Sequence, residues 1–363
     1  MSKIRSAPDS LIIVSTLLLL GIGLIMVYSA SAVLAFHNFG DSLFYLKRQF
    51  IFAVLGIIAL FATMNIDYWT WKKFAKLILT SGFIMLILVL IIGDVRGGAK
   101  SWLGVGSLGI QPSEFMKLAI VLFLAKFLAE RQTEITSFVK GLMPPLLLVG
   151  TSFAMIMLQP DLGTGAVLVG ASIVVIYVAG AKISHLVSLA MIGVVGLVGL
   201  IITAPYRLKR ITGFLNPWED PLGSGYQIIQ SLYAIGPGGL VGLGLGRSRQ
   251  KYNYLPEPQT DFIFSIISEE LGFIGGSVVL LLFLILIWRG LRVAITAPDS
   301  FGSLLAVGII GIIGVQVMIN IGVVIGMFPV TGITLPLISA GGSSLTLLLT
   351  AIGILLNISR YSR

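Results

Sequence analysis

Long apolar runs, each about as long as a bilayer crossing, follow one another along most of the chain. A helix needs about 20 apolar residues to cross a hydrocarbon core roughly 30 Å thick. Runs that meet this demand lie at about 11–36, 48–66, 77–93, 113–129, 142–159, 161–180, 184–204, 262–288, 303–328 and 341–358. Only Gln159, Pro160 and Asp161 separate the fifth from the sixth, and Pro160 marks a break because it cannot donate to a helix ladder. The pattern predicts an all-α polytopic membrane protein with about ten transmembrane helices in a single domain over 1–363. Residues 205–260 interrupt the rhythm with polar, aromatic and Gly-rich sequence, a long loop between the seventh and eighth spans. No internal repeat of the kind found in inverted-repeat transporters is visible.

Composition agrees with this reading. Of 363 residues, 56% are hydrophobic and 11% charged, with a mean hydropathy of +1.02; soluble domains carry about 25% charge. The first run is too long for the core of a signal peptide and has no clear cleavage site, so it is expected to be a retained span. Cysteine is absent, which excludes disulfides, thiolate nucleophiles and Cys-based metal sites. His37 and His185 are far apart in sequence, so neither a ligand pair nor a Ser–His–Asp hydrolase is expected. More than half of the 24 Lys and Arg residues fall in the two tails and the turns on their side. By the positive-inside rule, both termini are expected to be cytoplasmic and the long loop extracellular.

That placement gives the loop charges a meaning. Arg207, Lys209, Arg210, Arg247, Arg249 and Lys251 lie at an outer headgroup layer, where they suit an anion such as a lipid phosphate or pyrophosphate. The stretch GPGGLVGLGLGRSRQK lets backbone approach phosphate closely, but no nucleotide-binding loop and no nucleic-acid motif is present. In PEPQTDFIFSIISEELGFIGG, Thr260 or Asp261 suits a helix N-cap. Glu269 and Glu270 lie about 12 Å further along the axis, at 1.5 Å per residue. Charges at membrane depth cost a few kcal/mol and persist where they meet a cation, water or a function. The alternatives are salt bridges to neighbouring helices, or a carboxylate placed to take a proton from a hydroxyl. Glu114 and Lys117 are spaced for an ion pair, Asp161 for a cap, and Gln316 and Asn320 for bonds across helices. Trp102 suits an interface anchor or a sugar-stacking surface. Ser343 and Ser344 open the last span, where free N–H groups favour an anion.

The stretches GLIMVYSAS (23–31), SWLGVGSLGIQPSEFMKLA (101–119), QPDLGTG (159–165), RLKRITGFLNPWEDPLGSGYQIIQSLYAIGPGG (207–239), LPEPQTDFIFSIISEELG (255–272), PVTGITLPLIS (329–339) and GGSSL (341–345), in this order, resemble the SEDS family of FtsW, RodA and SpoVE proteins. The wording is closest to the division and sporulation branch. The resemblance covers nearly the whole chain. It implies a ten-helix peptidoglycan glycosyltransferase of the bacterial cytoplasmic membrane that polymerises lipid II at the outer face and works beside a class B penicillin-binding protein. It maps the family's key aspartate to Asp261 and its outer-loop tryptophan to Trp102. Two positions depart from the pattern: Ser101, after Lys100, stands where relatives often carry Arg, and Ala340 where they often carry an aromatic residue.

The combined expectation makes Asp261 the base on the acceptor GlcNAc 4-hydroxyl, inverting the donor centre. Arg207, Lys209, Arg210, Arg247 and Lys251 are candidates to hold the undecaprenyl pyrophosphate. Lys100, Trp102, Glu114, Lys117, Glu269, Ser343 and Ser344 are expected to bind substrate or shape the cavity. A divalent cation, Mg or Mn, bridging Asp261 and phosphate fits this chemistry, although no ligand set demands it. A lipid II flippase and a non-catalytic scaffold that activates the penicillin-binding protein are the rival readings.

Overall fold

The computed structural model describes residues 6–96, 99–104, 109–202, 205–252 and 254–362. Twelve α-helices lie among them: α1 Ser10–Phe39, α2 Phe44–Asn65, α3 Tyr68–Ile92, α4 Pro112–Glu130, α5 Met143–Met157, α6 Leu162–Val178, α7 Ile183–Ile202, α8 Pro205–Leu215, α9 Tyr226–Gly238, α10 Ile263–Thr296, α11 Ser300–Val324 and α12 Ser343–Ser359. A π turn at Phe138–Leu142 leads into α5, and an antiparallel pair, β1 Asp94–Arg96 and β2 Ala99–Trp102, follows α3.

Each of the ten apolar runs coincides with a helix, but the ends differ. The helix α3 starts at Tyr68 rather than 77. Lys72, Lys73 and Lys76 interrupt the apolar run without interrupting the helix, because their long stems reach outward while Tyr68, Ala75 and Leu79 pack inward. The helix α10 continues eight residues past the end of its run. Among the described residues, six helices are long and apolar enough to cross a membrane, namely α1, α2, α3, Phe138–Met157, α10 and α11, with α6 and α12 as shorter apolar helices. The stretch 205–260, expected to be one loop, contains α8 and α9. A 13-residue helix is too short to register as a span, yet α9 lays its apolar face (Ile228, Ile229, Ala234) on α10 and α11.

The helix α11 forms the centre of the bundle, with 72% of its apolar window buried. It touches α4, α6, α9, α10 and α12, as expected of a helix apolar all round. Carboxylates gather the chain ends at one face. Asp9 caps α1, accepting from Leu11 N at 3.0 Å, and pairs with Arg289 at 2.5 Å. Asp299 caps α11 and accepts from Tyr68 Oη at 2.9 Å and Trp69 Nε1 at 2.6 Å. Ser6 N donates to Arg360 O at 2.8 Å, and Tyr361 Oη donates to Asp67. The long 205–262 segment gathers at the opposite face, here called the loop face.

Candidate active site

The site is built around the entry to α10. Asp261 lies in a turn, and the helix begins two residues later at Ile263. The N-cap position falls on Phe262, one residue after Asp261 and two after Thr260, the two residues that the sequence suggested for it. The Asp261 carboxylate is half-buried. Its backbone is held by Asn320 of α11, whose Nδ2 donates to Asp261 O at 2.8 Å and to Ile333 O at 2.6 Å. One buried amide therefore ties the aspartate to the irregular segment between α11 and α12. Gly332 of that segment faces the carboxylate: a Cβ there would lie 3.7 Å from Asp261 Oδ2.

The same segment is stitched to the residues before Asp261. Ser339 Oγ donates to Thr260 O at 2.6 Å, and Ala340 N to Gln259 O at 2.9 Å. Gln49 of α2 donates through Nε2 to Ser339 O at 3.0 Å and accepts at Oε1 from Gly341 N at 3.3 Å. Four segments of the chain, two through their backbone and two through the Asn320 and Gln49 side chains, thus share one hydrogen-bonded junction. At its edge α12 begins, with Gly342 at the N-cap and no side-chain cap bond. A Cβ at Gly342 would come within 3.5 Å of Arg48 Nη2. A guanidinium and the positive end of a helix dipole therefore adjoin the junction that holds Asp261.

Behind it lies the pair predicted from spacing. Lys117 Nζ sits 2.8 Å from Glu114 Oε1 and donates to Gln316 Oε1 at 3.0 Å. Gln316 Nε2 in turn donates to Thr334 O at 3.0 Å. Glu114, Lys117, Gln316, Thr334, Ser339 and Ser344 line a cavity of about 30 Å³, space for a water molecule or two. Among the described residues, no three His, Asp or Glu side chains cluster to hold a metal ion.

The other expected site residues are dispersed. Lys100 Nζ donates to Leu90 O and Ile91 O, both at 3.0 Å, so its ammonium serves the last carbonyls of α3. Trp102 is half-buried at the end of β2. Ser343 Oγ accepts from Gln111 N at 3.2 Å, and Gln111 Nε2 donates to Asp161 Oδ2 at 3.0 Å. Asp161 also caps α6, accepting from Thr164 N at 3.0 Å. Ser344 Oγ donates to Gly341 O at 2.9 Å. Arg247, Arg249 and Lys209 are exposed on the loop face, whereas the side chains of Arg207 and Arg210 lie outside the described residues.

Lys251 and Glu269 differ from expectation. Lys251 is 5% exposed, and its Nζ donates to Glu270 Oε1 at 3.1 Å and Gly246 O at 2.6 Å. An ammonium so committed is not available to a pyrophosphate. Glu269 is 1% exposed and accepts from Ser248 Oγ at 2.5 Å and Arg249 N at 2.8 Å, so it holds a loop rather than lining a cavity. The Gly-rich stretch also serves the fold. Gly242 and Gly272 have φ of +81° and +67°, and a Cβ on Gly272 would meet Gly242 N at 2.3 Å. Here glycine lets two backbones touch.

Sequence reasoning passed over Arg48 and Gln49. Both lie on α2, about 210 positions before Asp261, and nothing local distinguishes Arg48 from a cation flanking a span.

Comparison with known proteins sets this geometry in a family. The profile of the FtsW, RodA and SpoVE family, described as cell cycle protein, matches residues 9–363. The chain belongs to this family. Stage V sporulation protein E of Bacillus subtilis (strain 168) is 64% identical over 365 residues and covers 100% of both chains. A probable peptidoglycan glycosyltransferase FtsW of Geobacter sp. (strain M18) is 41% identical over 357 residues, covering 98% of this chain and 97% of the relative. Among solved structures, a chain from a peptidoglycan synthase complex that coordinates polymerization and crosslinking superposes with a TM-score of 0.78 at 32% identity, covering 98% of each chain. The rod shape determining protein RodA of Thermus thermophilus gives 0.74 at 29% identity, covering 98% of this chain and 99% of RodA. With its apolar helices, this FtsW/RodA/SpoVE protein is a multi-pass cell membrane protein.

Proposed function

We propose that this protein is a peptidoglycan glycosyltransferase that polymerises lipid II at the outer face of the membrane, with Asp261 as general base. The ten apolar helices α1–α7 and α10–α12 cross the bilayer, both termini are cytoplasmic, and the loop face is extracellular. The observation that carries the reading is the state of Asp261. It is half-buried two residues ahead of α10, and its backbone is fixed by Asn320. A half-buried carboxylate at a junction of four chain segments, beside Arg48 and the start of α12, is placed to take a proton next to groups that suit a departing anion.

The donor is the growing glycan on undecaprenyl pyrophosphate, and the acceptor is lipid II. The acceptor 4-hydroxyl oxygen attacks the donor anomeric carbon, and the new C–O bond forms as the bond to pyrophosphate breaks. The hydroxyl proton passes to Asp261, and the bonding electrons leave with the diphosphate. One base and one leaving-group stabiliser suffice for this single inversion. Arg48 and the uncapped start of α12 supply positive potential beside the junction, and they replace Lys251 in the expected set of pyrophosphate contacts. Exposed Arg247 and Lys209 draw the anionic lipid to the loop face. A divalent cation at Asp261 would take its remaining ligands from substrate oxygens and water. A class B penicillin-binding protein is the expected partner, in line with the synthase complex to which one solved relative belongs.

The test is glycan-strand formation from lipid II by the purified protein, with and without the partner. Asp261→Asn is expected to abolish polymer while folding and partner binding persist. A scaffold would be indifferent to the substitution, and a flippase would lose lipid translocation in vesicles instead; either result would refute the reading.

A further inference from the structure

Glu269 and Glu270 are 1% and 0% exposed, in a chain with only 15 acidic residues. Their partners all come from elsewhere in the fold. Glu270 accepts from Ser29 Oγ of α1 at 2.8 and 2.6 Å, from Ser248 N at 3.2 Å and from Lys251 Nζ at 3.1 Å. Glu269 accepts from Ser248 Oγ at 2.5 Å, Arg249 N at 2.8 Å and Gln250 N at 3.4 Å. Two carboxylates thus grip four consecutive residues, 248–251, and one of them also reaches α1.

The backbone makes a second grip a few residues away. At Gly272 the helix α10 breaks, with φ +67° and ψ −164°. The groups released by the break are taken up by the Gly-rich loop. Leu243 N donates to Glu269 O at 2.9 Å and Gly244 N to Glu270 O at 3.0 Å. Phe273 N donates to Gly239 O at 2.8 Å and Ile274 N to Leu240 O at 3.1 Å. Without these bonds, a mid-helix break at membrane depth would leave orphaned polar groups.

The gripped segment leads straight to the base. Asp261 lies ten positions after Lys251 and eight before Glu269. Leu255, 1% exposed, donates its N–H to Gln250 O at 3.0 Å, so the hold extends into the approach to the PEPQTD turn. Residues 248–270 therefore form a closed loop, clamped where its ends meet, with Asp261 at the far side.

We propose that Glu269 and Glu270 are positioning residues that set the location of Asp261 by clamping the two ends of the 248–270 loop against each other and against α1. Neither carboxylate touches substrate. Their effect is on the geometry of proton transfer, where a displacement of about 1 Å costs up to a hundredfold in rate. Substrate is held by other groups, Arg48 and the start of α12 among them, so its affinity stays the same. This inference rests on Asp261 being the general base.

The experiment measures kcat and KM for lipid II polymerisation by the full-length protein with its partner, for Glu270→Gln, Ser248→Ala, Lys251→Met with Glu270→Gln, and Asp261→Asn. In Glu270→Gln the buried Lys251 ammonium loses its counter-charge; kcat is expected to fall at least tenfold with KM within threefold of wild type. Ser248→Ala, which keeps every charge, is expected to lower kcat several-fold at constant KM, and it decides the matter if Glu270→Gln does not fold. The neutral pair Lys251→Met with Glu270→Gln removes the stranded charge and retains the oxygen that accepts from Ser29, so it is expected to regain much of the lost kcat. Folded Glu270→Gln and Ser248→Ala at wild-type kcat would overturn the inference. So would a neutral pair no better than the single substitution, or a KM that rises as kcat falls. An active Asp261→Asn would instead bring down the reading on which it rests.

Discussion

Lys117→Met tests the electrostatic logic of the bundle. Lys117 Nζ is 2.8 Å from Glu114 Oε1, with the two side chains 4% and 13% exposed. At an effective dielectric constant of about 20, charges that close attract by roughly 6 kcal/mol before desolvation is counted. Desolvation costs several kcal/mol per ion, so the intact pair contributes little net stability. Removing only the lysine is different, because Glu114 is then a carboxylate in an apolar wall with its cation gone. Stranding one member of a buried pair costs about 3–5 kcal/mol, and Gln316 Oε1 loses its donor as well. At about 2–4 °C per kcal/mol, the apparent melting temperature should fall by roughly 6–20 °C. Glu114→Gln with Lys117→Met removes both charges and should recover most of that loss. The assay is thermal unfolding of the purified protein in detergent, followed as loss of monodisperse material on gel filtration. If the double variant melts at the sum of the two single effects, the residues act independently and the argument fails. An unchanged melting temperature for Lys117→Met alone would refute it as directly.

Two further expectations concern the frame around Asp261. Asn320→Ala removes two donors, to Asp261 O and Ile333 O; at about 1 kcal/mol each, it should cost about 2 kcal/mol of stability and lower polymerisation per folded molecule, measured by unfolding and by glycan formation. Gly272→Ala places a Cβ 2.3 Å from Gly242 N and 2.6 Å from Leu240 O at a φ of +67°. It should lower the yield of folded protein in membranes several-fold, whereas Gly21→Ala, whose Cβ meets nothing within 4 Å, should not.

Much of the fold could be read from periodicity because the bilayer imposes one strong rule. A segment that crosses it must be apolar and must satisfy its own backbone. For this reason all ten apolar runs became helices, although the ends of α3 and α10 moved where Lys72, Lys73 and Arg289 could reach polar surroundings. The helix α9 was invisible for the complementary reason: it packs on α10 and α11 at the loop face, so its pattern is that of an ordinary short amphipathic helix. Local spacing also anticipated the Glu114–Lys117 pair and the Asp161 cap, since three residues apart on a helix is a contact in itself.

The chemistry divides along the same line. The sequence by itself determined that the protein lives in a bilayer, that it carries no cysteine for thiol chemistry, and that one carboxylate in TDFIF stands where an acid is costly to keep. Only the tertiary structure decided which charges serve which purpose. Lys251 and Glu269 looked like site residues and turned out to clamp a loop, Lys100 serves the carbonyls of α3, and Arg48 came to the start of α12 from nearly 300 residues away. The physical reason is that a charge acts over a few ångströms in space, whatever its separation along the chain. A sequence states that a buried charge needs a partner, but only packing determines which residue that partner is.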